Sequence, residues 1–328
     1  MHQFNKKALG ADALLLLTAC IWGFGFIAQR SGMEYIGPFA FNGIRFILAS
    51  LSLLLLIFLL NRKTKILTHK EYAIPRILIT GSCLFIAVTL QQIGIIFTTA
   101  GNAGFITGFY VALVPVLGIL LGRKTGPATW TGAIFTLAGL YFISTSGNPD
   151  NLNPGDVLVA ISAFFWAMHV LIIDRFVKKI NPLILSSGQF LICGILSLAA
   201  AFLAEPFLAS QLRSLELGGL LEWTSFLELL KGLYSGIISF ELISGAIIPI
   251  LYGGLASVGI AYTLQVIAQK NAPPSHATII LCFEGCFAAL GGIILLNESF
   301  GIWTLLGFGL MLSGMLVSQW EVIFGRSE

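Results

Sequence analysis

The stretches LQQIGIIFTTAGNAGFITGFY (residues 90–110) and LQVIAQKNAPPSHATIILCFE (264–284) decide the fold. Both open Leu-Gln. Both place a polar side chain twelve residues in (Asn102, His276) with Ala after it, and both reach a polar residue at the end (Tyr110, Glu284). The offset is 174 throughout. An oily chain that repeats its few polar positions at fixed spacing is a duplicated chain.

The match extends outward. GADALLLLTACIW (10–22) pairs with PGDVLVAISAFFW (154–166) at offset 144, setting Asp12 on Asp156 and Trp22 on Trp166. Pro38 falls on Pro182, and Arg45-Phe46 on Gln189-Phe190. The step from 144 to 174 places some 30 extra residues in the second copy, where the stretch Glu205 to Glu241 lies. Residues 1–150 are thus read as one five-helix repeat, and 151–328 as a second with an insert at about 205–242. The insert holds five Glu against two basic residues. Trp223, Phe226, Leu227, Leu230 and Leu233 fit an amphipathic helix lying on the membrane surface, or an oily packing element.

Composition names the solvent. The chain of 328 residues is 57% hydrophobic and 10% charged, against about 25% charged in soluble domains. Ten apolar stretches approach the length of roughly 20 residues that a membrane helix needs: 11–29, 39–60, 75–97, 102–121, 129–144, 156–177, 183–204, 244–268, 274–296 and 300–320. Breakers such as Gly37-Pro38, Gly126-Pro127, Asn181-Pro182 and Pro273-Pro274 separate them. With the N-terminus cytoplasmic, 14 Lys and Arg fall on inner segments and three on outer ones, as the positive-inside rule demands. The expected fold is therefore all-α: ten transmembrane helices as two five-helix repeats, with both termini cytoplasmic. Five is odd, so the second repeat is inverted. Inverted halves exchange inward-open and outward-open shapes around a midplane site, which argues for a transporter. The five cysteines lie inside apolar runs without metal spacing. Net charge of +3 gives no reason to invoke nucleic acid. No phosphate-binding loop, HExxH or GxSxG is present, so neither ATP, a cofactor nor enzymatic chemistry is expected.

Four segments carry a resemblance to a known family: ACIWGFGFIAQRSG (19–32), NAGFITGFYVALVPVLGILLG (102–122), GDVLVAISAFFWAMHVLIIDR (155–175), and the run from Leu251 to Glu298 containing LQVIAQKNAPPSHATIILCFEG. They resemble the drug/metabolite transporter superfamily, in particular its EamA-type ten-helix permeases. The resemblance implies two inverted bundles around a central cavity, and movement of small metabolites, often export. The chain departs from the family at Glu284-Gly285, where members often have Glu-Pro, and in its long insert.

Ionisable groups in a bilayer need a partner or a wet cavity, because they cost about 2.5–3.5 kcal/mol at the helix centre. Glu284 is the leading candidate. It binds a substrate amine, carries a proton, or locks to His276 or Tyr110. Arg45, ~10 Å into its helix at 1.5 Å per residue, clamps a carboxylate or phosphate, or else caps carbonyls or snorkels. His169 relays protons or packs. Trp22 and Trp166 line the cavity or pack at the repeat axis. Tyr110 is read as cavity lining. Gln91, Gln265, Asn102 and His276 bind substrate or satisfy helix ends. No metal site is expected.

The function these readings support is a secondary transporter working by alternating access. It would move small organic metabolites, amino acids or related compounds, across the inner membrane as an exporter; uptake and exchange are the alternatives, with a passive channel or an intramembrane enzyme further off. Partners are the bilayer, the substrate, a proton as coupling ion, and a second copy of the chain as a homodimer.

Overall fold

A computed structural model of the protein describes residues 6–61, 73–120, 122, 126–145, 148, 153–204, 207, 240–272 and 274–318. Nearly all of the 205–242 insert, and most basic loop residues used for orientation, lie outside these. Among the described residues there are helices and no strand.

In chain order the helices are α1 (Lys6–Gly32), α2 (Pro38–Asn61), α3 (Ala73–Phe97), α4 (Ala100–Thr107), α5 (Tyr110–Ile119), α6 (Pro127–Thr145), α7 (Pro154–Val177) and α8 (Pro182–Leu203). There follow α9 (Phe240–Leu251), a π-helical segment (Tyr252–Tyr262), α10 (Thr263–Gln269), α11 (Pro274–Leu281), α12 (Glu284–Leu296) and α13 (Ile302–Ser318). They make ten spans: α4 and α5 share the fourth, α9 through α10 the eighth, α11 and α12 the ninth. Seven helical runs are long and apolar enough to cross a membrane, and three shorter apolar helices complete the set. Five helices begin on Pro, whose missing N–H belongs to the helix end that has no intrahelical partner anyway. At α7 and α8 the residue before that Pro, Asn153 and Asn181, caps the first turn through its side-chain oxygen.

The outer surface is the apolar one. Leu55, Ile134 and Ile294 are each at least 60% exposed, while Arg45, Gln189, His169, Asp156 and Glu284 are buried. This inversion of the soluble pattern makes the chain an all-α, multi-pass membrane protein.

The halves interlock. α1 packs on α12, the π segment and α10, all in the second half; α7 packs on α3, α4 and α5 in the first. The pairs α2 with α8, α6 with α13, and α4 with α12 also join one half to the other. Small residues set the approach. A Cβ added to Gly155 would lie 2.5 Å from the Gly94 carbonyl oxygen, so α3 and α7 meet at backbone distance.

The repeat is visible in individual backbone hydrogen bonds. At the break in the fourth span, Gly108 N–H donates to Gly104, Phe109 to Ile106, Val111 to Gly108 and Leu113 to Phe109. At the break in the ninth, Cys282 donates to Thr278, Phe283 to Ile280, Gly285 to Cys282 and Phe287 to Phe283. Adding 174 to each number of the first set gives the second. Both breaks tighten from i→i−4 to i→i−3 bonding over one turn. The π segment is confined to the eighth span. Its Ser257 and Ala261 carbonyls accept bonds from Trp22 Nε1 (3.0 Å) and Thr18 Oγ1 (3.2 Å) of α1.

Candidate functional site

The two helix breaks meet at a small central cavity. Thirteen residues line it: Trp22, Phe26, Gln29, Arg45, Gln91, Thr107, Tyr110, Trp166, Val170, Ser257, Tyr262, Gln265 and Glu284. All but Trp22 are buried. Its volume is about 30 Å³, room for about two waters and far below the 300–1,000 Å³ of pockets holding small molecules. The cavity must therefore widen to admit a solute of that size.

The lining follows the repeat. Trp22 with Trp166 and Phe26 with Val170 are pairs at offset 144; Gln91 with Gln265 and Tyr110 with Glu284 are pairs at offset 174. Eight of the thirteen lining residues are thus four repeat pairs. The other five, Gln29, Arg45, Thr107, Ser257 and Tyr262, have no counterpart in the lining.

Charge is asymmetric. Arg45 Nη2 donates to Gln29 Oε1 at 3.3 Å, and its guanidinium lies over the Phe41 and Phe46 rings at 5.3 and 5.2 Å. It does not snorkel. Arg45 Nε has no hydrogen-bond partner among the described residues. Glu284 neighbours Tyr110, yet neither Glu284 Oε1 nor the Tyr110 hydroxyl meets hydrogen-bond geometry with a described residue. Trp166 Nε1 and Gln265 Oε1 are likewise unpartnered. Buried polar atoms are seldom left so. Here unmatched donors (Arg45, Trp166) and acceptors (Glu284, Gln265) border one cavity, which suits a polar guest.

Aromatic rings form the wall. Tyr262 centres it, with its ring 4.5 Å from Trp22, 5.9 Å from Trp166 and 5.8 Å from Phe190. Gln91 Nε2 donates to Thr107 Oγ1 at 2.8 Å, across the turn between the third and fourth spans.

Seven of the ten residues singled out in the sequence therefore share the cavity: Trp22, Arg45, Gln91, Tyr110, Trp166, Gln265 and Glu284. His169 does not line it. One ring edge packs against Trp166 and Tyr262, and Nε2 pairs with Gln189 Oε1 at 2.8 Å. Asn102 lies in the first turn of α4, where its backbone N–H donates to the Thr99 hydroxyl. His276 lies in α11, and its side chain falls outside the described residues. Sequence reading missed Phe26, Gln29, Thr107, Val170, Ser257 and Tyr262. The Phe26–Val170 pair obeys the repeat offset but is apolar, so polarity gave no signal. Gln29, Ser257 and Tyr262 fall on Ile173, Cys83 and Val88, so a search for repeated polarity passes over them.

Ten apolar-faced spans in two interlocked sets of five, around a small central cavity, are the build of a multi-pass membrane transporter. The chain belongs to the EamA-like transporter family, whose model matches residues 9–145 and again 153–319. An Archaeoglobus fulgidus protein described as an uncharacterized transporter is 28% identical over 293 residues, covering 89% of this chain and 80% of its own. The Bacillus subtilis uncharacterized transporter YoaV is 22% identical over 95% of this chain and 96% of its own. A solved crystal structure matches 97% of this chain and 99% of its own with a TM-score of 0.66 at 16% identity, a likeness of fold. The protein is a membrane transporter with a small-molecule substrate and the bilayer as its surroundings.

Proposed function

We propose that the protein is a secondary carrier for small zwitterionic metabolites, amino acids and related compounds, exporting them by alternating access across the cell's inner membrane. The observation that carries this is the joint presence of Arg45 and Glu284, both 3% exposed, in one cavity lined by Trp22, Trp166 and Tyr262. A guanidinium suits a substrate carboxylate and a carboxylate suits an ammonium. The rings suit the apolar remainder of the guest. The division at residue 150, cytoplasmic termini, a homodimer, and proton coupling through Glu284 or His169 belong to the same reading.

Counterflow in proteoliposomes tests it. Vesicles preloaded with a mixture of unlabelled amino acids should accumulate a labelled member, saturably, and an imposed pH gradient should alter the rate. Comparing metabolite pools of cells with and without the protein gives the direction. Flux that never saturates means a channel. Saturable flux of neutral sugars but not of zwitterions removes the substrate assignment.

A further inference from the structure

Polar links hold the elements of one face together at positions where the other copy carries different residue types. Three links are present. Arg30 Nη1, near the end of α1, donates to the carbonyls of Ile95, Ile96 and Thr98 at the end of α3. The Thr98 hydroxyl donates to Asp156 Oδ1 in the first turn of α7. The Glu298 carboxylate accepts the N–H of Ala100 at 2.7 Å and of Gly101 at 3.1 Å, capping α4. The last link joins the two halves. α4 belongs to the first, and Glu298 follows α12 of the second.

Local geometry seats Glu298 for this. Asn297 takes the left-handed conformation, φ 52°, and turns the chain at the end of α12. Glu298 N–H then donates to the Gly292 carbonyl at 3.0 Å. Gly292 leaves room for the carboxylate: a Cβ there would come within 2.2 Å of Glu298 Oε2, and the three nearest atoms it would meet all belong to the Glu298 side chain. A carboxylate on two backbone N–H groups at a helix start is favoured by charge-assisted bonding and by the helix dipole.

Four of the positions that make these bonds carry a different residue type in the other copy. Arg30 falls on Asp174, which offers a carboxylate where a donor is needed. Thr98 falls on Ala272, which has no hydroxyl. Ala100 falls on Pro274, which has no N–H, and Glu298 falls on the basic pair Arg123-Lys124 at offsets of 175 and 174.

The linked pair also sits where a gate must be. α4 and α12 pack against each other. A Cβ on Gly104 would lie 2.4 Å from Ala288 Cβ, so the contact is close. The cavity residues Thr107, Tyr110 and Glu284 stand at one end of this pair, and Glu298 binds its far end. The eight residues of α4 set the latch ~12 Å from the cavity at 1.5 Å per residue. Opening the cavity on that face requires α4 and α12 to part.

We propose that Glu298 latches the Arg30 face shut, and that releasing this latch lets the cavity open on that face. Glu298 acts as a positioning residue and touches no substrate. This inference does not rest on which solute is carried, and its test needs none.

The probe is a membrane-impermeant methanethiosulfonate reagent, applied to one face or the other of right-side-out and inside-out vesicles. The target is Ser257→Cys, a cavity position of nearly unchanged size; the chain without that substitution gives the background from its own cysteines. Adding Glu298→Ala should raise labelling from the Arg30 face about tenfold, the loss of roughly one charge-assisted bond. Gly292→Ala should do the same by displacing the carboxylate while favouring the helix, so it decides the question should E298A fail to fold. Glu34→Gln, which removes an exposed carboxylate near the end of α1 on the Arg30 face, should leave the rates alone. Unchanged rates in both latch variants, or an equal rise from both faces, would overturn the proposal.

Discussion

The fourth and ninth spans are the same backbone with different chemistry. Each breaks after eight residues, at positions 174 apart, with the same four main-chain hydrogen bonds. Yet the first presents Thr107 and Tyr110 to the cavity, where the second has Leu281, which is absent from the lining, and Glu284. Duplication preserved the shape of the wall while the side chains diverged. The lesson is that shape and chemistry answer to separate constraints. A helix break needs a local shift in bonding, which many residues allow. A polar cavity needs a guanidinium in one place and a carboxyl in another, which symmetry would forbid.

The largest expected effect breaks this comparison at its most unequal pair. Glu284→Gln should lower kcat/KM by at least ~30-fold, the cost of removing one partner of a desolvated charge contact, while the detergent-extracted protein stays monodisperse. Full activity would reduce Glu284 to scaffolding. Tyr110→Phe, at the equivalent position, should cost under ~10-fold. A Tyr110→Phe loss equal to that of Glu284→Gln would mean the two copies contribute alike.

Arg45→Lys should come next, at about tenfold in KM for carboxylate-bearing solutes, since an ammonium replaces the planar fork. Uptake of the matching amine lacking a carboxylate should change little, and competition assays with the two compounds would show it.

The tryptophan pair sharpens the comparison on a stability axis. The Trp22 indole bonds the Ser257 carbonyl, whereas Trp166 Nε1 has no hydrogen-bond partner among the described residues. Trp22→Phe should therefore destabilise by about 1–3 kcal/mol, visible as a lower Tm in detergent. Trp166→Phe should leave Tm nearly unchanged and weaken solute binding instead. Equal shifts in Tm would erase the distinction.

The smallest effects concern glycine. Gly155→Ala should cost about 1–3 kcal/mol because the Gly94 backbone cannot yield. Gly309→Ala, with open space around it, should be neutral or stabilise by up to about 1 kcal/mol.

Much of the fold was legible because the bilayer simplifies the code. Helix starts at Pro38, Pro154 and Pro182 are written in the chain, and no observed span boundary lies more than five residues from its expectation. What escaped was local winding. Nothing in YGGLASVGIAY (252–262) separates a π segment from an α-helix, because both satisfy the backbone inside the segment. At the site, repeated polarity pointed to Gln91, Gln265, Tyr110 and Glu284. Tyr262 stands at the centre of the aromatic wall, yet its counterpart is Val88, so a signal built on symmetry was blind to it. His169 drew notice for its depth, but depth alone does not tell which side of a helix a residue occupies.

The small size of the central void bears on the cell's energy supply. A chamber with room for a couple of waters, edged by the Trp22, Trp166 and Tyr262 rings, leaves little width for a thread of solvent at that depth. Vesicles bearing the protein should hold an imposed potential as long as bare lipid does, so that a cell can keep many idle copies without draining its gradients.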